Sequence, residues 1–561
     1  MSRRTKNKPI EPDKHSRRYH THLTHIENRC IAQKFLFYLC YKVFKIKPYY
    51  LLLLLLIAGT GYGCLKSDKP GIPESVRRVI DASGIHKVEF LQAMVSYEAM
   101  DDSLKLRSLY YLIANMGCQY EIDYKITDST GKKYFFPLKD YPDYSTLQKH
   151  LRLLKTKTGP LIIDHDTILL DIKTVDASLL KTNIDTAFRS WQHPVYKQNI
   201  YSFNDFCNYI LPYRVANEKA ESFRHFFRSR YHEKIFSVLR HTPINLLSLI
   251  GRVHQVVTSD IGFDKRYELH YNYPTLREIT KSHRGNYRDI AIYEVKAFRS
   301  FGIASTMDYT PYFADSSGGY FWPVVQVSDN QFIPVFYPGI SIDNLTLPGK
   351  IPKVYRRKYS DDSSSLFRIK KMSEHTPAFL GQFNYDDVTD EYIKTSDLKI
   401  PITDTARYAY LAVFNSGAWH PVQWSFSNYH DTALFTKMGV DIVYLPMIIK
   451  KEQTVPAGLP FLLQKNGKIR LLQNQITKPK SNATLSKTDP YHILQPHKNY
   501  FIYQWKNNRW QIIRLLKSDF RGTVNLKLQP STLYILSKEN APEWFSTERP
   551  FMIHGTSIIY Y

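Results

Sequence analysis

The sequence predicts an α+β multidomain protein: a helical N-terminal region, a mixed α+β core, and two β-sandwich-like domains after it. Three observations carry this. Apolar residues recur at helical spacing through much of 71–192, as in Leu91, Met94, Leu104, Leu109 and Leu112. Residues 274–339 hold one long apolar-faced helical stretch followed by strand-like runs. From Leu398 onward the pattern changes to short alternating runs broken by Asn-Gly and Asn-Asn turns. At 561 residues, 43% hydrophobic and 14% aromatic, the chain has apolar mass for several cores. The segments that follow are a leader at 1–64, a mainly helical domain at 71–200, a core at 201–345, a β-sandwich at 391–477 and a C-terminal β domain at 497–561.

The leader comes first. Residues 1–48 carry twelve Lys or Arg against three Asp or Glu, so they contribute +9 of the net +25. The remaining +16 is spread over 513 residues without a dense stripe, which predicts an ordinary basic surface and no nucleic-acid partner. Lys42, Lys45 and Lys47 precede a leucine-rich run from Leu51 to Ile57, and Gly61-Tyr62-Gly63-Cys64 follows. A basic flank, a short apolar run and small residues before a cysteine describe an export signal. The pattern is similar to a bacterial lipoprotein signal, which implies that Cys64 is the lipid-attachment residue. Tyr62 stands where such signals usually have a small residue. The alternative is an uncleaved anchor, although Tyr49 to Tyr62 is short of the roughly 20 apolar residues that span a bilayer. Either reading places the body of the protein in the cell envelope, at the outer membrane or otherwise membrane-held, facing the periplasm or exterior.

In the helical domain Asp176 is placed to cap a helix ending near 192, and Ser75 or Ser83 to cap earlier ones. Asp164-His165-Asp166 has the residue types of a metal site, but without a third cluster it reads as a turn. Beyond Cys64 only Cys118 and Cys207 remain, with no Cys-x-x-Cys or Cys/His spacing. The sequence therefore predicts no metal and no cofactor, and reads Cys207, on an aromatic face, as a buried thiol. In Tyr209-Ile210-Leu211-Pro212-Tyr213-Arg214, Pro212 forces a helix break. Arg214 is predicted to brace the fold by pairing with a carboxylate such as Glu218.

The core opens with a loop ending at Gly285 and a helix that Gly302 closes. Ile290, Tyr293, Val295, Ala297, Phe298 and Phe301 give that helix a broad apolar surface, which predicts burial. Strands from Tyr320 to Val327 and from Phe332 to Phe336 follow, joined by a turn at Ser328-Asp329-Asn330. This order resembles the transglutaminase-like core, a papain-related arrangement found in a group of Gram-negative bacterial lipoproteins. Phe301-Gly302-Ile303-Ala304 and Trp322 fit that frame, and the Tyr209 to Arg214 phrase is similar to a segment the group carries upstream. The likeness runs over about 170–561. It implies a Cys/His/acid triad, but here the cysteine position falls on Tyr287, the histidine position on Tyr320 and the acid position on or near Phe336.

Those three replacements remove the chemistry. A phenol has an ordinary pKa of about 10 and is a poor acyl nucleophile at neutral pH. Without an imidazole at Tyr320 no general base stands where the frame would hold one. His283, four residues before Tyr287, reads as a solvent-facing loop residue. Two phenol rings should instead fill a gap sized for a thiol and an imidazole. The expected function is a non-catalytic binding or scaffold protein, with a peptide or a glycan as its ligand. The alternative is an acyl-transfer or hydrolytic enzyme that uses displaced residues.

After the core, residues 341–390 read as loop, with Ser360-Asp361-Asp362-Ser363-Ser364-Ser365 solvated. Strands are predicted at Tyr408 to Phe414, Trp419 to Phe426, Ile442 to Ile449, Phe461 to Leu463 and Ile469 to Leu472. The last unit adds Tyr500 to Trp505, Trp510 to Leu515, Val524 to Leu528 and Leu533 to Leu536, with Asn507-Asn508 as a hairpin turn. Trp419, Trp424, Trp505 and Trp510 read as core residues in preference to a sugar-binding groove.

Overall fold

This computed structural model describes residues 71–561, apart from 193–200, 240–244, 337–346, 348, 372, 378, 404–405, 428–431, 474–478, 488, 490, 492–493 and 540–547. The leader and Cys64 lie outside the described residues. None of the described helices is long and apolar enough to cross a membrane. The architecture is α+β with several antiparallel sheets, as predicted at the level of fold class.

Helices Glu74–Ser83, Lys87–Ala99, Ser103–Ala114 and Ala177–Trp191 share one core built on Leu109, Leu112, Leu180, Ile184 and Phe206. Asp176 caps the last of them by accepting from the Leu179 N–H at 2.7 Å. Asp102 does the same for Lys105 at 3.1 Å, whereas the serine caps are not used: Pro73 precedes the first helix with no side-chain cap. The region is also less helical than its periodicity suggested. Tyr120–Thr127 is a strand, paired antiparallel with Lys133–Tyr134 and with Ile162–Leu170. Asp164-His165-Asp166 therefore sits in a strand and not in a turn. Lys125 and Lys133 hold Asp166 at 3.5 and 2.9 Å, and the His165 ring lies 5.3 Å from that of Tyr124. Helix Tyr144–Thr158, capped by Asp143, lies between the sheet's two long strands in sequence.

The predicted core helix is Tyr287–Ser300, and every residue from Asp289 to Ser300 is buried. Asn286 caps it in a reciprocal box with Asp289, and Gly302 takes the left-handed conformation (φ 75°) that ends it. Helices Arg224–Leu239 and Leu246–Asp260 pack on it through Phe227, Tyr231, Val253 and Val257. A five-stranded antiparallel sheet lies against it, in the order Tyr385–Asp387, Tyr355–Arg357, Ser305–Thr310, Tyr320–Ser328, Gln331–Pro334. Two of those strands come from the stretch expected to be loop. Their charged residues explain the misreading: Lys353, Arg356 and Arg357 are all buried, and each is held by acceptors on other segments.

The following six-stranded sheet runs Ala418–Phe426, Tyr408–Asn415, Ile442–Lys450, Phe461–Leu463, Ile469–Leu471, with Gln453–Pro456 pairing beside Ile442–Lys450. The pair Thr395–Pro401 and Thr432–Gly439 covers one face, packing Leu398 and Phe435 on Leu411 and Tyr444. The opposite face packs Tyr410 and Leu445 among Tyr309, Tyr355, Trp505 and Leu533. Burial on both faces accounts for the unbroken apolar run of Tyr408 to Phe414, in which no residue is exposed.

The C-terminal sheet runs Arg509–Lys517, Asn499–Lys506, Tyr534–Lys538, Phe551–His554, Ser557–Tyr560, and the pair Ser481–Leu485 and Val524–Leu528 packs on it. Asn507 and Asn508 both have positive φ (52° and 59°), the turn that suits strand twist. Trp505 lies 5.7 Å from Trp419 and 5.2 Å from Trp510, ring to ring. Trp419, Trp505 and Trp510 thus join the two β units.

Candidate functional site

Three pieces of chain converge at the N-terminal end of the core helix. Tyr287 occupies its first turn, Tyr320 opens the adjoining strand, and Phe336 follows the next strand. The structure brings these three expected positions together. The Tyr287 and Tyr320 rings meet edge to face at 4.7 Å, with a 67° interplanar angle. Phe263 stacks on the far side of Tyr287 at 4.1 Å, and Tyr320 stacks towards Trp322 at 5.7 Å and Phe336 at 6.4 Å. Phe263 belongs to a two-residue parallel bridge that fastens 262–263 to Arg284 and Gly285. Tyr320 and Phe336 are 5% and 2% exposed, while Tyr287 is half-buried at the edge of the cluster.

The polar groups around these rings are already engaged. Trp322 donates its indole N–H to Tyr392 at 3.0 Å, and Tyr392 donates to Asp308 at 2.7 Å. Arg356 closes on Asp308 with two bonds of 2.9 Å and reaches Glu391 at 2.7 Å. Asp308, fully buried, therefore has both oxygens committed to the fold. Burial pushes the Tyr320 phenol well above its ordinary pKa, and the neighbouring Tyr287 and Glu294 push the same way. The phenol is thus held in its neutral form, which disfavours a phenolate nucleophile there.

No protein-family model matches the chain, and no curated protein matches it.

One pair near this cluster escaped the sequence reading. His254, from helix Leu246–Asp260, bonds through Nδ1 to Glu294 Oε1 at 2.5 Å. Glu294 is completely buried, and its Oε2 has no hydrogen-bond partner among the described residues. Burial alone would lower the His254 pKa, but the bond to Glu294 and its charge outweigh this and raise it. The available signal was a mid-helix carboxylate among apolar residues, seven residues and thus two turns beyond Tyr287.

The other expected residues lie elsewhere. His283 is exposed, in the left-handed position that ends helix Leu276–Ser282, with Nδ1 3.2 Å from the Asp260 carboxylate. Cys118 packs with Phe367 and Phe383, and Cys207 sits in the N-terminal helical core. Burial pushes the Cys207 thiol up to about 12, as the reading of an inert buried thiol requires. Among the described residues no group of three or more His, Cys, Asp or Glu is placed to hold a metal ion.

Arg214 is a brace, but its partner is Asp171, bonded at 2.5 and 3.0 Å with both groups buried. Glu218 instead caps the Val215 and Ala216 N–H groups at 2.9 and 2.8 Å and pairs with Lys296 of the core helix at 3.3 Å. Arg299 donates to the carbonyls of Tyr209, Pro212 and Arg214 at 3.2, 3.1 and 2.8 Å. The Pro212 break leaves these carbonyls without helical partners, and a buried arginine from the core helix satisfies them.

Proposed function

We propose that the protein is an exported, lipid-anchored scaffold or binding protein of the cell envelope, built on a transglutaminase-like core that does no catalysis. One observation carries the reading: Tyr287 and Tyr320 meet edge to face at 4.7 Å in the gap where a thiolate and an imidazole would have to face each other. Phe336 extends the same packing where an acid would complete a triad. A filled, apolar gap can neither admit an acyl group nor hold a developing oxyanion. Tyr287, the half-buried member, leaves an aromatic edge on which a peptide or glycan would rest. The membrane attachment rests on the order of basic residues, apolar run and Cys64 in the leader.

Two measurements test this. Purified protein should show no amide hydrolysis or transamidation of glutamine-containing peptides above a Tyr287→Phe/Tyr320→Phe control. Turnover that disappears in His254→Ala or Tyr320→Phe would overturn the non-catalytic reading. Metabolic labelling with a fatty-acid analogue should mark the native chain and not Cys64→Ala. Equal labelling of both would remove the lipid anchor.

A further inference from the structure

Helix Lys87–Ala99, the second of the N-terminal domain, is apolar on both sides. Phe90, Ala93, Met94 and Tyr97 face inward and are buried in the core with Leu109 and Leu180. Val88, Leu91 and Val95 recur at helical spacing on the opposite side, where they are 60%, 39% and 63% exposed. Ile85, in the turn that leads into the helix, is 96% exposed and continues the ridge. None of these four is among the residues packed against that core. Gln92 is the polar residue within the ridge, and Lys87, Glu89 and Glu98 flank it, with Glu89 accepting the Ala177 N–H at 2.9 Å. A helix that is apolar all round belongs in a covered setting, and this one has a whole side open.

The size of the ridge decides what covers it. Thirteen residues make a helix about 20 Å long, and a face about 10 Å wide then presents about 200 Å². Each partner of a stable protein pair gives up about 800 Å², so the ridge by itself is too small to hold a second copy of the chain. A bilayer asks for much less, because the lipid proposed at Cys64, on which this inference rests, already holds the chain there. Residues 65–70 separate Cys64 from Gly71, and that stretch reaches at most about 25 Å. The one helix between Gly71 and the ridge, Glu74–Ser83, adds about 15 Å. A face kept this close to a membrane meets it at high effective concentration, and a small apolar contact is then enough. On the same reading residues 1–63 are cleaved away, so no earlier part of the chain is left to cover the ridge.

We infer that Ile85, Val88, Leu91 and Val95 rest on the lipid surface. Helix Lys87–Ala99 lies in the plane of the membrane, with these side chains about 5–10 Å within the boundary between headgroups and acyl chains. The contact is apolar and asks for no particular headgroup. It turns the helical domain towards the membrane and so fixes which side of the protein faces away.

A fluorescent probe on the ridge tests this. Val95→Cys in the full chain is labelled with a nitrobenzoxadiazole dye and reconstituted into vesicles of phosphatidylcholine and phosphatidylethanolamine. Cys118 and Cys207 are buried and escape the dye, and the unsubstituted chain labelled in parallel supplies the background. The emission should shift to the blue and be quenched by lipids that carry a nitroxide high on the acyl chain. Lys527→Cys, exposed on strand Val524–Leu528 of the C-terminal unit, should show neither effect. Leu91→Glu added to Val95→Cys should return the emission to that of a probe in water while the protein stays on the vesicles. Circular dichroism confirms that each variant is folded; should Leu91→Glu fail to fold, the nitroxide quenching decides alone. Co-sedimentation with the vesicles reads the anchor separately. A native chain that does not sediment removes the anchor and the ridge contact with it, whereas a chain that sediments with its Val95 probe in water removes the ridge contact alone. A blue shift that nitroxide lipids leave unquenched and that grows with protein concentration reports a second copy on the ridge, and it too overturns the inference.

Discussion

Replacing the two facing tyrosines separately and together measures how firmly the gap is closed. Tyr320 is almost fully buried and contacts Tyr287, Trp322 and Phe336, so Tyr320→Ala should cost about 3–5 kcal/mol, as other large buried aromatics do. Tyr287 is half-buried but stacks on Phe263 at 4.1 Å, so Tyr287→Ala should cost less, about 1–3 kcal/mol. Edge-to-face contact at 4.7 Å makes the two losses overlap, with a coupling of about 0.5–1.5 kcal/mol. Tyr287→Cys with Tyr320→His, which restores the residue types of a thiol–imidazole pair, should cost about 2–5 kcal/mol through the space left behind. It should bring no turnover, since Phe336 supplies no carboxylate and Asp308 is held by Arg356 and Tyr392. Urea unfolding of the native protein, the two single alanine variants, the double alanine variant and the Cys/His variant, followed by near-ultraviolet circular dichroism of the aromatic cluster, yields each term. A coupling indistinguishable from zero, or an unchanged midpoint in Tyr320→Ala, would refute the closed gap. The rings would then line an open ligand cleft.

Three further outcomes follow from buried groups. Burial pulls His420 down to about 4 from its ordinary 6.5, against the opposing pull of the Asn415 backbone, while its ring stacks on Tyr312 at 4.3 Å. The unfolded chain therefore binds the proton first: stability is whole above pH 6.5 and falls by up to about 3 kcal/mol as pH drops towards 4. His420→Phe should flatten that part of a plot of Tm against pH. For Glu218, burial raises the carboxyl pKa, but Lys296, Arg214 and two backbone N–H groups outweigh it and hold it at about 2. Its contribution is present above 4.5 and lost as pH falls from there towards 2, and Glu218→Gln, which strands Lys296, should cost about 3–5 kcal/mol at pH 7 by urea unfolding. Cys207, raised to about 12 by burial, should resist iodoacetamide at pH 8 in the folded protein and react within minutes once urea unfolds it.

Local order was largely legible in the sequence. The Asp176 cap, the Asn507-Asn508 turn, the helix ended by Gly302 and the strand Val524–Leu528 follow from residue types a few positions apart. The closeness of Tyr287, Tyr320 and Phe336 does not: it was expected only from a likeness in residue order, and their rings pack together in the fold. Tyr120–Thr127 is a strand whose Tyr, Ile, Tyr, Ile alternation is plain in the sequence, although it lies in the domain expected to be mainly helical. What the tertiary structure alone decided is which distant groups meet. Tyr355–Arg357 looked like loop because it is charged, and it became sheet because Arg356 found Asp308, 48 residues earlier. Arg214 passed over Glu218, four residues away, for Asp171, 43 residues away, and His254 reached Glu294 across 40. Periodicity and capping act over one or two turns of chain and leave a local trace. A buried charge takes whichever partner the packed layers bring within about 3 Å, and no local pattern in the sequence encodes that.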